Sequence, residues 1–409
     1  MTHRVAVTGI GAISAFGQTY PDLWAGLAAG KSAIRPLTLV APNVLRFPNA
    51  AEVPDYDPLR YFEEKEAQLL DRFAQFAAVA AREAIRTSGI EFSRALGERT
   101  AIVLGCSGGG KSTEDDGFYH LYGLKEPRVS PLTIARAMSN AGASRVSFEY
   151  GITGPVFTIS TACSSANHAI GQAFRMVRSG EVEVALAGGS EAPLSMGFLK
   201  AWEAMRVVAP DTCRPFSADR RGLILGEGAA VLVLEPLERA RARGAKIMGE
   251  IAGFGMSSDA HHITQPSAPG AARAMLAAIF DVKVGDAELA PEAIGYVNAH
   301  GTGTLVNDAT ETEAIKSVFG QHAQRLLVSS TKSMHGHALG AAGALEAAAT
   351  LGALQCGLIP PTANFTAADP ACDLDVVPNT PRTAQIEFAI SNSFAFGGLN
   401  AVLVFRKSA

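Results

Sequence analysis

A chain of 409 residues, 48% of them hydrophobic, is long enough for two or three average domains and buries a large core. A net charge of −4 offers no broad positive field for nucleic acid or an anionic membrane. Five cysteines, an odd number without metal-type or disulfide-type spacing, point to a reducing cytoplasm, and the amino-terminal residues enter a strand directly, which speaks against a signal peptide.

Taken in chain order, β-branched apolar runs alternate with segments of helical spacing. Strand 5–8 is followed by helices 20–29 and 69–88, strands 100–104 and 156–160, helix 164–179 and strand 182–187. A similar order returns after residue 245: strand 294–298, helix 307–319, strand 326–329, helix 338–356, then strands 389–391 and 401–405. The recurrence predicts a duplicated α/β protein with halves at 1–243 and 244–409, and its best local echo is Ile159-Ser-Thr161 before Cys163 against Ser329-Ser-Thr331 before Lys332. Residues 338–359 have the length of a membrane span, but alanine and glycine dominate them, Glu346 and Gln355 interrupt them, and Pro360-Pro361 stops them. No transmembrane segment is therefore expected; the segment suits a buried helix whose Glu346 needs a cation, and Lys332 is the expected partner.

Cys163 follows the run Val-Phe-Thr-Ile-Ser-Thr-Ala and precedes small residues at helical spacing. A strand, a sharp turn and a helix N-terminus display a thiol, and the positive end of the helix is expected to favour the thiolate. Two later segments share that design. Val297-Asn-Ala-His300-Gly-Thr302-Gly-Thr304 ends a strand in a histidine and a glycine-rich turn, and Ser330-Thr-Lys332-Ser-Met-His335-Gly-His337 leads into a small-residue helix. An intracellular cysteine with distant histidines is the pattern of a nucleophile assembled by the fold.

Three features point elsewhere. Gly105-Cys-Ser-Gly-Gly-Gly110-Lys111-Ser112 satisfies the phosphate-loop pattern, but Glu114, Asp115, Asp116 and Gly117 stand where an apolar-periodic helix should begin. Gly9-Ile-Gly11 lacks the third glycine of a dinucleotide fingerprint. His261-His262 has no further ligands at a metal-binding spacing, so no metal site is expected.

The chain resembles the β-ketoacyl synthases, the decarboxylating condensing enzymes of the thiolase superfamily. The resemblance begins at Arg4-Val-Ala-Val-Thr-Gly, runs through Thr161-Ala-Cys163-Ser-Ser, Arg214-Pro-Phe-Ser, Gly226-Glu-Gly, Asn298-Ala-His300-Gly-Thr-Gly-Thr, Ser330-Thr-Lys332-Ser and Gly336-His337, and closes at Asn392-Ser-Phe-Ala-Phe396-Gly-Gly. It covers essentially the whole chain in the family's order. It implies a duplicated five-layered α-β-α-β-α thiolase-like fold, and an acyl chain held as a thioester on Cys163 that is extended by two carbons from malonyl-ACP. His300 and His337, as neutral donors through Nε2, are expected to hold the enolate oxygen. The N–H groups of Cys163 and Phe396, the latter in the turn Ala395-Phe396-Gly397-Gly398, resemble the family's oxyanion hole. The resemblance further implies that Lys332 orients a histidine and pairs with Glu346 and that Thr302 and Thr304 bind the phosphopantetheine arm, while Arg206, Arg214, Arg220 and Arg221 are candidates for a basic rim that docks an acyl carrier protein.

The resemblance implies no cofactor beyond phosphopantetheine, which arrives on the carrier, and a dimer with itself or with a related chain-length-factor subunit. Two departures from the housekeeping elongation synthase bear on substrate: Gly108 replaces a bulky aliphatic residue, and Ala395 replaces a glycine before the Phe396 gate. The segments Leu199-Lys-Ala-Trp202-Glu-Ala-Met-Arg206 and Asn167-His168 look like specialised ketosynthases of polyunsaturated chains, such as those of nodulation signals and aryl polyenes. Housekeeping elongation is the alternative. A non-catalytic chain-length factor generally lacks the nucleophile, a thiolase uses a second cysteine where Phe396 stands, and an initiating synthase replaces one histidine by asparagine.

Overall fold

Two windings of one pattern build the central sheet of the computed structural model, which describes residues 2–285 and 287–408. The first uses β1 (Val5–Ile13), β2 (Thr100–Gly105), β3 (Val156–Ile159), β4 (Val184–Glu191) and β5 (Gly228–Pro236). The second uses β6 (Gly249–Ser258), β7 (Ile294–Asn298), β8 (Leu327–Ser329), β9 (Phe388–Ala395) and β10 (Leu399–Arg406). In each half the spatial order is third, second, fourth, fifth, first strand, with the first three of these parallel and the last two pairings antiparallel. The halves meet where Val5, Ala6 and Val7 pair with Ile251, Glu250 and Gly249, which makes one ten-stranded sheet.

Five helices complete the layers: α1 (Arg72–Ser88), α2 (Ser165–Ser179), α3 (Ala268–Phe280), α4 (Leu305–Phe319) and α5 (Ala342–Cys356). Period-2 alternation sorts the side chains between them. On β2, Ala101 and Val103 join the cluster that contains α2 and α5, while Ile102 and Leu104 join the cluster that contains α1. Strands β9 and β10 divide in the same way between the central cluster and one built on α3 and α4. The order is thus helix, half-sheet, the α2–α5 pair, half-sheet, helix, the expected five layers. Alanines on α2 (Ala166, Ala169, Ala173) and α5 (Ala344, Ala347, Ala348) let the central layer pack closely.

Several elements differ from the sequence reading. Strand β1 runs through Gly9 and Gly11 to Ile13, because α1 crosses there: a Cβ at either glycine would lie 2.1 Å from the carbonyl oxygen of Ala84 or Ala80. These glycines serve close packing inside a strand, not a phosphate turn. Strands β5 and β6 and helix α3 were not expected. Every residue of β5 but the last is buried, so it shows no alternation, and α3 is rich in alanine with Pro269 in its first turn. Helix α5 begins at Ala342, after a 3₁₀ turn at Leu339–Ala341, and no helix among the described residues is long and apolar enough to cross a membrane.

Candidate active site

Cys163 stands at the elbow between β3 and α2. Ala162, the residue before it, has φ 51°, a left-handed conformation that a side chain rarely adopts and that the surroundings must enforce. Ser165 does so, accepting the N–H of Thr161 at 2.9 Å and donating to the carbonyl of Ala162 at 2.6 Å. Burial pushes the Cys163 thiol up to about 12, against the pull of Lys332 and the Phe396 N–H. The expected thiolate is therefore corrected: desolvation outweighs the helix terminus and the ammonium group, and the site favours a thiol. Since the folded-state value lies above the ordinary one, the reactive thiolate fraction keeps growing with pH. Alkylation of Cys163 by iodoacetamide should rise about tenfold per pH unit from pH 7 to 10; a plateau near pH 8 would contradict this assignment.

His300 stands two residues past the end of β7, and a carboxylate on α4 fixes its backbone. Glu311 accepts the N–H of His300 at 2.8 Å and of Gly301 at 2.7 Å, and Asn392 donates to it at 3.0 Å. Lys332 is fully buried; its Nζ donates to the His300 carbonyl at 2.7 Å, lies 3.4 Å from His300 Nδ1 and forms an ion pair with Glu346. His337 Nδ1 accepts the N–H of Leu339 at 3.2 Å. Both Nδ1 atoms thus face donors, an arrangement that leaves the ring proton on Nε2. Burial first, then the Lys332 charge, holds both imidazoles well below the usual histidine range, so both are neutral. Their rings meet edge to face with centroids 5.5 Å apart.

These groups share one cavity of about 440 Å³ lined by Cys163, His300, His337, Thr302, Thr304 and Phe396. The hydroxyls of Thr302 and Thr304 are 2.9 Å apart. Phe396 is followed by two left-handed glycines, Gly397 (φ 85°) and Gly398 (φ 70°), and the Gly397 N–H is tied to the Ile263 carbonyl at 2.7 Å. Ala395 also lines the cavity. Gly108 does not: its N–H is turned to Glu191 at 2.9 Å, and a Cβ there would stand 3.0 Å from the same carboxylate.

Glu191 settles the phosphate-loop pattern. A helix, Lys111–Phe118, does follow the glycines, contrary to the sequence reading, but the amides of Ser107 and Gly108 already bind this fully buried carboxylate at 2.7 and 2.9 Å. Glu191 also takes the N–H of Gly340 at 3.1 Å, linking the loop after β2 to the one after His337. At the mouth, Arg206 and Arg221 line the cavity and have no ion-pair partner among the described residues. Arg214 and Arg220 are corrected as rim candidates: Arg214 pairs with Asp211 and Asp219, and Arg220, 4% exposed, pairs with Asp369 and Asp308. His262 lies at the mouth too, its Nδ1 accepting the amides of Thr264 and Gln265. Sequence spacing had singled out neither Ser165, Glu311 nor Glu191.

Residues 2–240 match the family model of the β-ketoacyl synthase N-terminal domain, and residues 248–366 that of the C-terminal domain. Nodulation protein E of Rhizobium meliloti is 46% identical over the full length of both chains. The 3-oxoacyl-[acyl-carrier-protein] synthase 2 of Synechocystis is 41% identical over 99% of this chain and 98% of its own. Among solved structures, the ishigamide ketosynthase/chain length factor superimposes with a TM-score of 0.94 at 37% identity, and a β-ketoacyl synthase from Burkholderia phymatum with 0.90 at 35%, each covering both chains completely. A type II polyketide ketosynthase in complex with its acyl-carrier protein and bound to the hexaketide gives 0.90 at 28%, again over both whole chains.

Proposed function

Because the chain belongs to the β-ketoacyl synthases and is an acyltransferase that makes 3-oxoacyl-ACP, we propose that its own task is the extension of a specialised, polyunsaturated acyl chain. The observation that carries this reading is the 46% identity to nodulation protein E over the full length, against 41% to the elongation synthase of Synechocystis. The apolar shell around Cys163, which includes Leu199, Trp202, Leu223 and Ala395, suits a hydrocarbon chain.

In this reading the half 1–243 supplies the nucleophile and the half 244–409 the two histidines. The Cys163 sulfur attacks the acyl thioester, the carrier's thiol leaves with the cysteine proton, and the N–H groups of Cys163 and Phe396 hold the oxyanion. Malonyl-ACP then loses carbon dioxide while His300 and His337 donate Nε2–H bonds to the enolate oxygen. The enolate carbon bonds to the acyl carbon, and the Cys163 sulfur is expelled as a thiolate that takes a proton from water to restore the thiol. Each oxyanion donor is worth about 2.7–4 kcal/mol in such a step. Lys332 and Glu346 position His300, and Thr302 and Thr304 hold the phosphopantetheine arm. No cofactor of the protein's own is needed, and the chain works in the cytoplasm.

The partners are an acyl carrier protein and a second subunit, either a copy of this chain or a related chain-length factor. Arg206 and Arg221, without an ion-pair partner among the described residues, fit the acidic carrier. Arg221→Glu should raise KM for carrier-borne substrates roughly tenfold with kcat little changed, and less so as salt increases; an equal effect at low and high salt would count against docking there. The reading as a whole is tested by intact-mass spectrometry of the protein after incubation with saturated and polyunsaturated acyl-ACP of equal length, then malonyl-ACP. Faster loading and two-carbon extension of the unsaturated chain is expected; faster extension of the saturated chain would make this a housekeeping synthase.

A further inference from the structure

Trp202 lies on the helix Met196–Met205, is 8% exposed and lines the same cavity as Cys163. Its ring is near-parallel to that of Phe396, with 22° between the planes and centroids 6.1 Å apart. Trp202 is packed in turn. Phe198 meets Trp202 edge-on at 6.3 Å, and the Lys111 ammonium lies 6.0 Å from the Phe198 ring. Phe396 follows buried Ala395 and precedes Gly397, whose N–H is bound to the Ile263 carbonyl at 2.7 Å.

We propose that Trp202 and Phe396 form an aromatic wall that selects flat, conjugated acyl chains, with Trp202 as the specificity-determining residue. A saturated chain must give up rotation about every carbon–carbon bond to lie along such a wall. A conjugated chain is already straight and planar, so it loses less freedom on binding, and it presents a π face to the two rings. Trp202 contributes nothing comparable to the condensation chemistry, because the charge that develops there is met by the histidines and by backbone N–H groups. Its effect therefore falls on which chain is loaded.

This inference rests on the specialised-chain reading above, and one experiment separates the two. Loading of Cys163 is measured for wild type, Trp202→Leu and Trp202→Phe with octanoyl-ACP and octa-2,4,6-trienoyl-ACP. Wild type should favour the trienoyl chain, Trp202→Leu should lower the ratio of the two kcat/KM values about tenfold, and Trp202→Phe, which keeps a flat face, should restore most of it. If wild type favours the saturated chain, the specialised-chain reading falls and the aromatic wall with it. A wild-type preference that survives Trp202→Leu, or a Trp202→Leu variant in which both rates fall by one factor, overturns the wall alone.

Discussion

Cys163→Ala should lower 3-oxoacyl formation by at least about 10⁴-fold, while malonyl-ACP still loses carbon dioxide. On the mechanism proposed above the two activities part, because the site has two separate places for negative charge. Transfer of the acyl chain needs the sulfur and the N–H groups around it. Decarboxylation needs only an enolate oxygen held between two neutral imidazoles, and those are fixed by Lys332, Leu339 and Glu311 without help from the thiol. His337→Ala should do the reverse, leaving Cys163 open to acylation and lowering decarboxylation on the order of 100-fold or more. Mass spectrometry reads the first activity and carbon dioxide release the second. Loss of both in Cys163→Ala would mean that the two charge sites are one.

Lys332→Met should destabilise the protein by about 3–5 kcal/mol, because Glu346 is left as a buried carboxylate without its cation. Burial already pushes Glu346 up to about 7 against the pull of Lys332. Once the lysine is removed, its carboxyl goes up further and takes a proton at neutral pH. In linkage terms, a carboxyl raised on folding costs stability from its unfolded value up to its folded one; wild type shares that cost up to about pH 7, so the deficit of Lys332→Met relative to wild type should widen as pH rises above about 7. The double variant Lys332→Met/Glu346→Gln removes the charge and should recover most of the stability. It should not recover activity, since His300 Nδ1 still lacks its donor and Nε2–H is no longer enforced. Denaturant unfolding with kinetics on the same samples checks both statements. Recovery of activity in the double variant would leave Lys332 with a purely structural role.

What could be read from the residues depended on the range of the interaction. The elbow at Cys163, the all-buried α5 with its Lys332–Glu346 pair, and the duplicated order of strands left local marks, namely a β-branched run, a lone acid among alanines and a repeated Ser-Thr. Carboxylates such as Glu191 and Glu311 left none, because their partners are backbone amides of other elements, which any sequence supplies. The arginines behaved similarly: only the folded chain distinguishes Arg220, locked between Asp369 and Asp308, from Arg221 one residue later at the cavity mouth. The protonation of Cys163 was misread because a helix terminus is visible in sequence, whereas the amount of water excluded around a sulfur is a property of the whole fold.

The seam between the halves has a consequence for synthesis. Strand β1, apolar and buried along its whole length, pairs with nothing near it in sequence: Val5 lies opposite Pro236 on one side and Ile251 on the other. At about 5–20 residues per second, the ribosome needs roughly 12–50 s to deliver those partners. For that time the first strand is a sticky, unpaired edge on a growing chain. The nascent protein is thus expected to depend on chaperones that shield strand β1 until the second half begins to emerge.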